Sequence, residues 1–168
     1  MVTYVIPYRS IGKTRLGDSA LAAAMVSDVV DACRAAGAGD VLIAGAPGGQ
    51  GEAIQGALLE HSGPVTIVNS DLPCATPEEL CRLSASAPAI VPARDGTTNA
   101  IALRDARQFV PLYGPGSAER FLALAASRLV EIPNLSDDVD TLADLERLEE
   151  RLGPHTRAAL ESLRSAAR

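Results

Sequence analysis

The sequence predicts an α/β fold with a mostly parallel sheet that is covered by helices on both faces. Short, continuous apolar runs alternate along the chain with longer segments in which apolar residues recur at helical spacing. Strands that are buried on both faces read as such uninterrupted runs. The length of 168 residues suits one domain, and 47% hydrophobic with 21% charged residues is an ordinary globular composition. We therefore expect a single three-layer domain over residues 1–168.

Three strands and two helices are predicted in the first part of the chain. The strands are short β-prone or apolar runs at residues 3–6, 41–44 and 65–68. A helix is expected over residues 20–36, because apolar residues recur there at helical spacing and Gly37 follows as a C-cap would. A second helix is expected over residues 52–59, after the glycine-rich residues 48–51.

The rest of the chain continues the alternation. Thr76, Pro77 and Glu79 begin a third helix, because threonine caps a helix N-terminus, proline suits the first turn and the glutamate completes a capping box. The later strands are predicted at residues 89–91, 101–103 and 129–132. The later helices are predicted at residues 118–127 and 141–151, and a last one follows the break at Gly153 and Pro154 and runs to about Ala166.

Composition excludes several classes of partner. A net charge of −6 and a pI near 4.9 argue against binding to nucleic acid or to an anionic membrane surface. No apolar run approaches the ~20 residues that span a bilayer, and the N-terminus lacks a signal-peptide pattern. The three cysteines have no metal-ligand spacing. We therefore expect a cytoplasmic protein whose cysteines are free, buried thiols.

A basic loop follows the first predicted strand. It contains Arg9, Lys13 and Arg15, and Lys13 is the only lysine of the chain. Residues 12–14 resemble the end of a phosphate-binding P-loop, but Pro7 stands where that motif needs glycine. Two interpretations remain, which are a solvated basic loop and a cationic clamp for a polyphosphate at the carboxyl end of the strand.

Three aspartates are candidates for binding a hard cation. Asp71 directly follows the third predicted strand, at the edge of the sheet where α/β proteins bind ligands. Asp138 and Asp140 point to the same side of an extended segment. A turn would account for Asp71 alone, and a helix-start signal at Thr141 would leave the other two aspartates unexplained. A cation between the carboxylates would explain all three, because neighbouring carboxylates repel each other.

Two glycine-containing segments are candidates for binding an anion. Gly114, Gly116 and Ser117 precede the helix predicted at residues 118–127, where free backbone N–H groups at the helix start suit an anion. Residues 95–99 lie between two predicted strands and would also serve as a plain hairpin turn. Placed at one edge of a sheet, the basic loop, the glycine segments and the aspartates form the residue set for metal-assisted transfer of a nucleotidyl group.

The order of these motifs is that of a known family. The segments that carry the resemblance cover most of the chain and are VIPYRSIGKTRLG, GQGEAIQGAL, SDLPCATPEEL, VPARDGTTNAIALR, YGPGSAERFLALA and DDVDTLADLERL. They resemble the 2-phospho-L-lactate / phosphoenolpyruvate guanylyltransferase family, which acts in the biosynthesis of coenzyme F-420. The resemblance implies a nucleotidyltransferase fold of the GT-A-like, Rossmann-like kind.

The resemblance also implies roles for particular residues. It implies that Mg²⁺ is bound by three aspartates, which are Asp71, Asp138 and Asp140. It implies that a phosphorylated three-carbon acid is bound by residues of the glycine segments, which are Thr98, Asn99, Gly114, Gly116 and Ser117. It implies that the phosphates of GTP meet catalytic residues of the basic loop, which are Arg9, Lys13 and Arg15.

The implied reaction joins GTP to phosphoenolpyruvate or 2-phospho-L-lactate and releases pyrophosphate. A molybdenum-cofactor-type nucleotidyltransferase is one alternative, against which the DGTTNA and GPGS segments argue. A shortened, non-catalytic nucleotide-binding relative is another, because the segment between Ala44 and Gln50 is short by roughly a strand and a helix for this family. The sequence does not choose among the three-carbon acids. It leaves the oligomeric state open, with a homodimer as one alternative.

Overall fold

The computed structural model describes residues 1–8, 16–45, 48–124 and 127–166, and a six-stranded sheet forms its centre. In chain order the strands are β1 (Thr3–Pro7), β2 (Asp40–Ala44), β3 (Val65–Val68), β4 (Ala89–Pro92), β5 (Thr98–Leu103) and β6 (Arg128–Leu129). Across the sheet their order is β2-β1-β3-β5-β4-β6. The pairs β1–β2, β1–β3 and β4–β6 are parallel, whereas β5 runs antiparallel to both of its neighbours. The predicted mostly parallel α/β sheet is therefore confirmed.

Seven helices are found among the described residues. They are α1 (Ser19–Ala35), α2 (Gln50–Leu58), α3 (Pro77–Ala85), α4 (Ser117–Leu124), α5 (Pro133–Ser136), α6 (Leu142–Leu148) and α7 (Pro154–Ala166). Short 3₁₀ turns lie at Ala106–Gln108 and Glu149–Arg151. The predicted capping box at the start of α3 is present, with the Thr76 side chain accepting from the backbone of Glu79. Thr141 and Asp144 form a second capping box at the start of α6.

Apolar clusters cover both faces of the sheet. In β1, Tyr4 and Ile6 belong to the cluster that includes residues of α1 and α3, whereas Val5 belongs to the cluster that includes residues of α2 and α4. Successive side chains of a strand point to opposite faces, so this division is what a sheet between two helical layers requires. All three of these side chains are buried.

The last helix begins against the first one. The buried carboxylate of Asp28 in α1 accepts hydrogen bonds from the backbone N–H groups of His155 (3.0 Å) and Thr156 (2.8 Å) in the first turn of α7. An aspartate in this position satisfies helix N–H groups that have no partner within their own helix. A Cβ atom on Gly153 would overlap the Asp28 carboxylate, so the close approach requires glycine there.

Several expected boundaries and burials are wrong. The predicted strand at 129–132 is limited to Arg128–Leu129, and Pro133 begins the unpredicted helix α5. β2 is an edge strand, which leaves the Ile43 side chain 55% exposed in a run that reads as buried. The thiols of Cys33 and Cys74 are buried as expected, but that of Cys81 is exposed because it lies on the outer side of α3.

Candidate active site

The predicted site residues meet at one edge of the sheet. Asp71 lies just beyond the carboxyl end of β3. Because β5 runs in the opposite direction to β3 and β4, its amino end, with Thr98 and Asn99, lies at this same edge. The backbone N–H of Asn69 donates to the Asn99 carbonyl (2.9 Å) and ties the two strand ends together. The antiparallel strand thus adds two polar residues to an edge otherwise formed by strand carboxyl ends.

The three aspartates lie together. Each of Asp71, Asp138 and Asp140 offers a carboxylate oxygen, and these oxygens lie within 4.8 Å of one another. Between the last two residues, the buried Val139 donates its backbone N–H to the Asp71 carbonyl at 2.9 Å. The extended segment therefore turns Val139 inward and the two flanking carboxylates toward Asp71, as the spacing predicts.

The local electrostatics favour a bound cation. The pKa of Asp138 is raised, first by its burial and then by the negative charge of Asp71. The side-chain amide of Asn99 donates to Asp138 at 3.4 Å and partly offsets this increase. Three carboxylates at this spacing present the hard oxygen ligands that Mg²⁺ and Ca²⁺ prefer. The donor set therefore fits the expected Mg²⁺.

The second predicted segment forms a loop beside β5. The hydroxyl of Ser117 donates to that of Thr98 at 3.0 Å, and both side chains are buried. Gly114 (φ +113°) and Gly116 (φ +69°) have left-handed backbone conformations that other residues rarely adopt. The backbone N–H of Ser117 donates to the Gly114 carbonyl (3.0 Å), which closes the turn. The structure thus brings together four of the five residues expected at the acid site.

Asn99, the fifth of those residues, lies on the side of the aspartates. Its side-chain oxygen accepts from the Asn69 amide at 3.5 Å, which joins it to a short row of amides that begins at Gln50, the first residue of α2. Gln50 donates to the side-chain oxygen of Asn69 (2.7 Å), and Asn69 donates to the Thr98 carbonyl (3.2 Å). Sequence reasoning missed Gln50 and Asn69. Asn69 has a usable signal, because it directly follows a buried strand.

Arg120 contacts the outer side of the loop that contains Gly114 and Gly116, which we call the glycine loop. Its guanidinium donates to the carbonyls of Leu112 (2.9 Å), Tyr113 (3.4 Å) and Pro115 (2.7 Å). Occupied carbonyls on this side fix the orientation of the peptide groups through the turn at Gly114. Sequence reasoning missed Arg120 as well, since an exposed helical arginine gives no signal of a contact with a preceding loop.

The predicted catalytic residues Arg9, Lys13 and Arg15 lie outside the described residues. The described residues on either side of them can be placed. β1 ends at Pro7, beside and parallel to β3, so its carboxyl end lies at the edge of the sheet that carries Asp71. Leu16 is buried in the same apolar cluster as Val139.

A cleft of about 240 Å³ lies beside the aspartates. Its lining is entirely charged and consists of Arg94, Asp95, Asp137, Asp138, Asp140, Asp144 and Arg147. Among the described parts of the chain, no helix combines the length and hydrophobicity that crossing a membrane requires.

Comparison with known proteins finds guanylyltransferases among the relatives by sequence. A 2-phospho-L-lactate guanylyltransferase of Methanosphaerula palustris is 32% identical over 168 aligned residues, which cover 84% of this chain and 80% of the relative. A phosphoenolpyruvate guanylyltransferase of Nocardia farcinica is 41% identical over 119 residues, which cover 66% of this chain. That match spans about half of the Nocardia farcinica protein, 53% of its length. No family model matches the chain.

Solved structures support the fold. The crystal structure of a putative nucleotide-diphospho-sugar transferase from Desulfovibrio desulfuricans superposes on this chain with a TM-score of 0.70. The superposition covers 98% of this chain and 95% of that one, at 17% sequence identity. At this identity the likeness concerns the fold alone, and it agrees with a six-stranded sheet between two helical layers.

Proposed function

Because the chain belongs to the phosphoenolpyruvate / 2-phospho-L-lactate guanylyltransferase family, we propose that it transfers the guanylyl group of GTP to one of these acids. A phosphate oxygen of the acid forms a bond to the α-phosphorus of GTP. The bond from that phosphorus to the bridging oxygen of the β-phosphate breaks, and pyrophosphate leaves. The product is a three-carbon acid linked to guanosine diphosphate.

One observation carries this proposal most strongly. Asp71, Asp138 and Asp140 meet within 4.8 Å at the sheet edge where the glycine loop of Ser117 also begins. Transfer between two anions needs screening of their repulsion and alignment of the reacting groups more than it needs proton transfer. The acid's phosphate is already ionised near neutral pH, so the reaction requires no general base.

The three aspartates would hold Mg²⁺, which supplies positive charge to the phosphates of both substrates. Asn99 keeps one carboxylate oriented through its hydrogen bond to Asp138. Residues that hold a metal ligand in place are often as sensitive to substitution as the ligand itself. This arrangement is ready before the substrates arrive, because the backbone contact between Val139 and Asp71 fixes the spacing.

The acid would bind in the loop of Gly114 and Gly116, with the hydroxyls of Thr98 and Ser117 as polar partners. Glycine at these two positions leaves the backbone free for close approach, although the first two N–H groups of α4, at Ser117 and Ala118, already donate to the carbonyls of Gly114 and Gly96. Lys13, with Arg9 and Arg15, would stabilise the departing pyrophosphate, since β1, which precedes them in the chain, ends at the same edge.

We further propose that this activity serves the biosynthesis of coenzyme F-420 in the cytoplasm. Nucleotide and phosphorylated acid are the partners that the names of the relatives imply. The alternative of a molybdenum-cofactor-type enzyme has no support among these relatives. The other alternative is a non-catalytic relative that only binds nucleotide, and a measurement of turnover distinguishes it from the proposed enzyme.

The test uses purified protein with GTP and Mg²⁺, to which phosphoenolpyruvate, 2-phospho-L-lactate and 3-phosphoglycerate are added in turn. Pyrophosphate release and formation of the guanylylated acid are measured together, with ATP in place of GTP as the control for the base. We expect release that depends on the acid and on GTP. Nucleotide binding without pyrophosphate release for any acid would identify the non-catalytic relative and overturn the proposal.

A further inference from the structure

A buried carboxylate lies next to the proposed metal ligands in the chain and borders the same charged cleft. Asp137 immediately precedes Asp138, and its side chain is only 4% exposed. Three guanidinium groups contact it: Arg94 and Arg147 at Oδ1, and Arg151 at Oδ2. The Arg147 and Arg151 contacts measure 3.3 and 2.8 Å. A buried carboxylate requires partners of opposite charge. Three guanidinium groups are more partners than an aspartate needs when it only caps a helix or closes a turn.

The three arginines come from separate parts of the fold. Arg94 lies in the loop between β4 and β5, Arg147 lies in α6, and Arg151 ends the following 3₁₀ turn. Asp137 is therefore the point at which the segment before α6 is joined to the sheet edge and to the helix that follows it. The partly exposed arginine side chains leave their outer ends in water, so the charges are not stranded.

The contacts alternate with the proposed metal ligands along the segment. Asp137 and Val139 are buried, whereas Asp138 is intermediate and Asp140 is exposed. Both buried residues are held in place. The arginines hold Asp137, and the backbone hydrogen bond to the Asp71 carbonyl holds Val139. Asp138 and Asp140 must stay close to Asp71 although three like charges repel one another.

Two of the arginines also border the proposed site. Arg94 and Arg147 line the same charged cleft as Asp138 and Asp140. If Asp137 did not hold these guanidiniums, they could pair with the carboxylates that face the cleft. Such pairing would compete with a divalent cation for the same oxygens. The buried carboxylate thus has two effects: it fixes the segment, and it pairs with two guanidiniums of the cleft, of which Arg147 also pairs with Asp144 at 3.3 Å.

We propose that Asp137 is a positioning residue for the metal site, which anchors Asp138 and Asp140 and pairs with Arg94 and Arg147, the two arginines of the cleft. The inference rests on the proposed function only in that Asp71, Asp138 and Asp140 bind a divalent cation. It assigns no contact between Asp137 and either substrate.

The experiment measures Mn²⁺ binding to the purified protein by electron paramagnetic resonance, without GTP or acid. Asp137→Asn keeps the shape of the side chain and removes its charge. We expect its Mn²⁺ dissociation constant to rise by about 10–100-fold, as for residues that orient metal ligands. At saturating Mg²⁺ the KM for GTP should stay within about twofold of the parent value. Glu149→Gln is the matched control, because Glu149 pairs with Arg164 at the surface and should leave Mn²⁺ binding unchanged.

Arg151→Gln is the second variant and guards against a failure of Asp137→Asn to fold. Arg151 contacts Asp137 but does not line the cleft, so its loss weakens the anchor without altering the charges that face the cation. We expect a smaller loss of Mn²⁺ affinity for Arg151→Gln. Folded Asp137→Asn or Arg151→Gln protein that binds Mn²⁺ as the parent does would overturn the inference.

The outcomes also separate this inference from the proposed function. Mn²⁺ binding that depends on Asp137, in a protein that never releases pyrophosphate, would refute the proposed reaction and support the positioning role. Pyrophosphate release, together with Mn²⁺ binding that does not change in Asp137→Asn, would support the proposed reaction and refute the positioning role. Absence of Mn²⁺ binding in the parent protein would overturn the positioning role directly.

Discussion

The hydroxyl groups of Ser117 and Thr98 are 3.0 Å apart, and each belongs to the first residue of its element. Ser117 opens α4 and Thr98 opens β5, so a single buried hydrogen bond joins a helix start to a strand start at the candidate site. The backbone N–H of Ala118 adds a second link, to the Gly96 carbonyl at 3.3 Å. The loop that precedes the helix and the turn that precedes the strand therefore keep a fixed relationship.

Ser117→Ala should affect the acid more than the nucleotide. The substitution removes one buried hydrogen bond and the hydroxyl proposed to meet the acid, which corresponds to about 1–1.5 kcal/mol. We expect the KM for the phosphorylated acid to rise about 5–10-fold, with little change for GTP. Initial rates at varied concentrations of each substrate measure this, with Ser162→Ala on α7 as the control. Equal effects on both KM values would move the loop to the nucleotide side.

Asp71→Asn and Asp140→Asn should each abolish turnover in a folded protein. Each variant removes one proposed metal ligand and also relieves repulsion within the group of three. The parent protein should gain thermal stability when Mg²⁺ is added, because a ligand that binds only the folded state stabilises it. The variants should lose this gain in Tm. Activity that is retained in either folded variant, at the Mg²⁺ concentration used for the parent protein, would contradict the metal assignment.

Lys13→Ala should lower kcat, although Lys13 lies outside the described residues. A lysine that stabilises the leaving pyrophosphate contributes mainly in the transition state, with a loss on the order of 2–4 kcal/mol on removal. Lys13→Arg should recover only part of the rate, because a planar guanidinium does not replace a compact ammonium. Steady-state kinetics decide the matter. Parent rates with an unchanged KM for GTP would mean that the basic loop is merely solvated.

Arg120→Ala should loosen the glycine loop without touching the substrates. The guanidinium satisfies three loop carbonyls, and their release lets the peptide groups around Gly114 reorient. We expect a raised KM for the acid, an unchanged KM for GTP and partial recovery in Arg120→Lys. Arg107→Ala is the control, since Arg107 is an exposed arginine paired with Asp105. A variant with parent kinetics would remove Arg120 from any role at the site.

Stability should depend on pH through His155. Its ring is hydrogen-bonded to Asp31 at 2.9 Å, and this bond, with the nearby charge of Asp28, raises the pKa of His155 above its ordinary value. The charged pair therefore contributes stability below the unfolded-state pKa of about 6.5 and loses it as the pH rises through the raised folded-state pKa. NMR titration of the ring and Tm against pH would measure both effects. An unchanged titration in Asp31→Asn would contradict this account.

The sequence predicts the local features of the site well. The capping box from Thr76 to Glu79 depends on neighbours within one turn, so its residue types alone identify it. The meeting of Asp71 with Asp138 and Asp140 follows from two simple rules, the position of strand ends and the alternation of an extended segment. Both rules use little information from distant parts of the chain.

The missed features depend on contacts between distant segments. The hairpin interpretation of residues 95–99 implies the antiparallel β4–β5 pair, but the pairing of β5 with the distant β3 is not predicted, because a continuous apolar run does not identify its neighbours in the sheet. Thr98 and Asn99 read as turn residues, and only their partners Ser117 and Asp138 allow them to start the strand. Asp137 reads as one more solvated acid. Its burial requires arginines that lie 43, 10 and 14 positions away, and no local pattern announces them.

The contact between Asp28 and α7 has a consequence for how the protein is made. His155 is added to the growing chain 127 residues after Asp28. At synthesis rates of about 5–20 residues per second, α1 waits roughly 6–25 s for the helix that its carboxylate caps. During that interval the part of α1 that packs on α7 lacks this helix as a partner. Docking of α7 is therefore a late event, completed only as translation of this region ends.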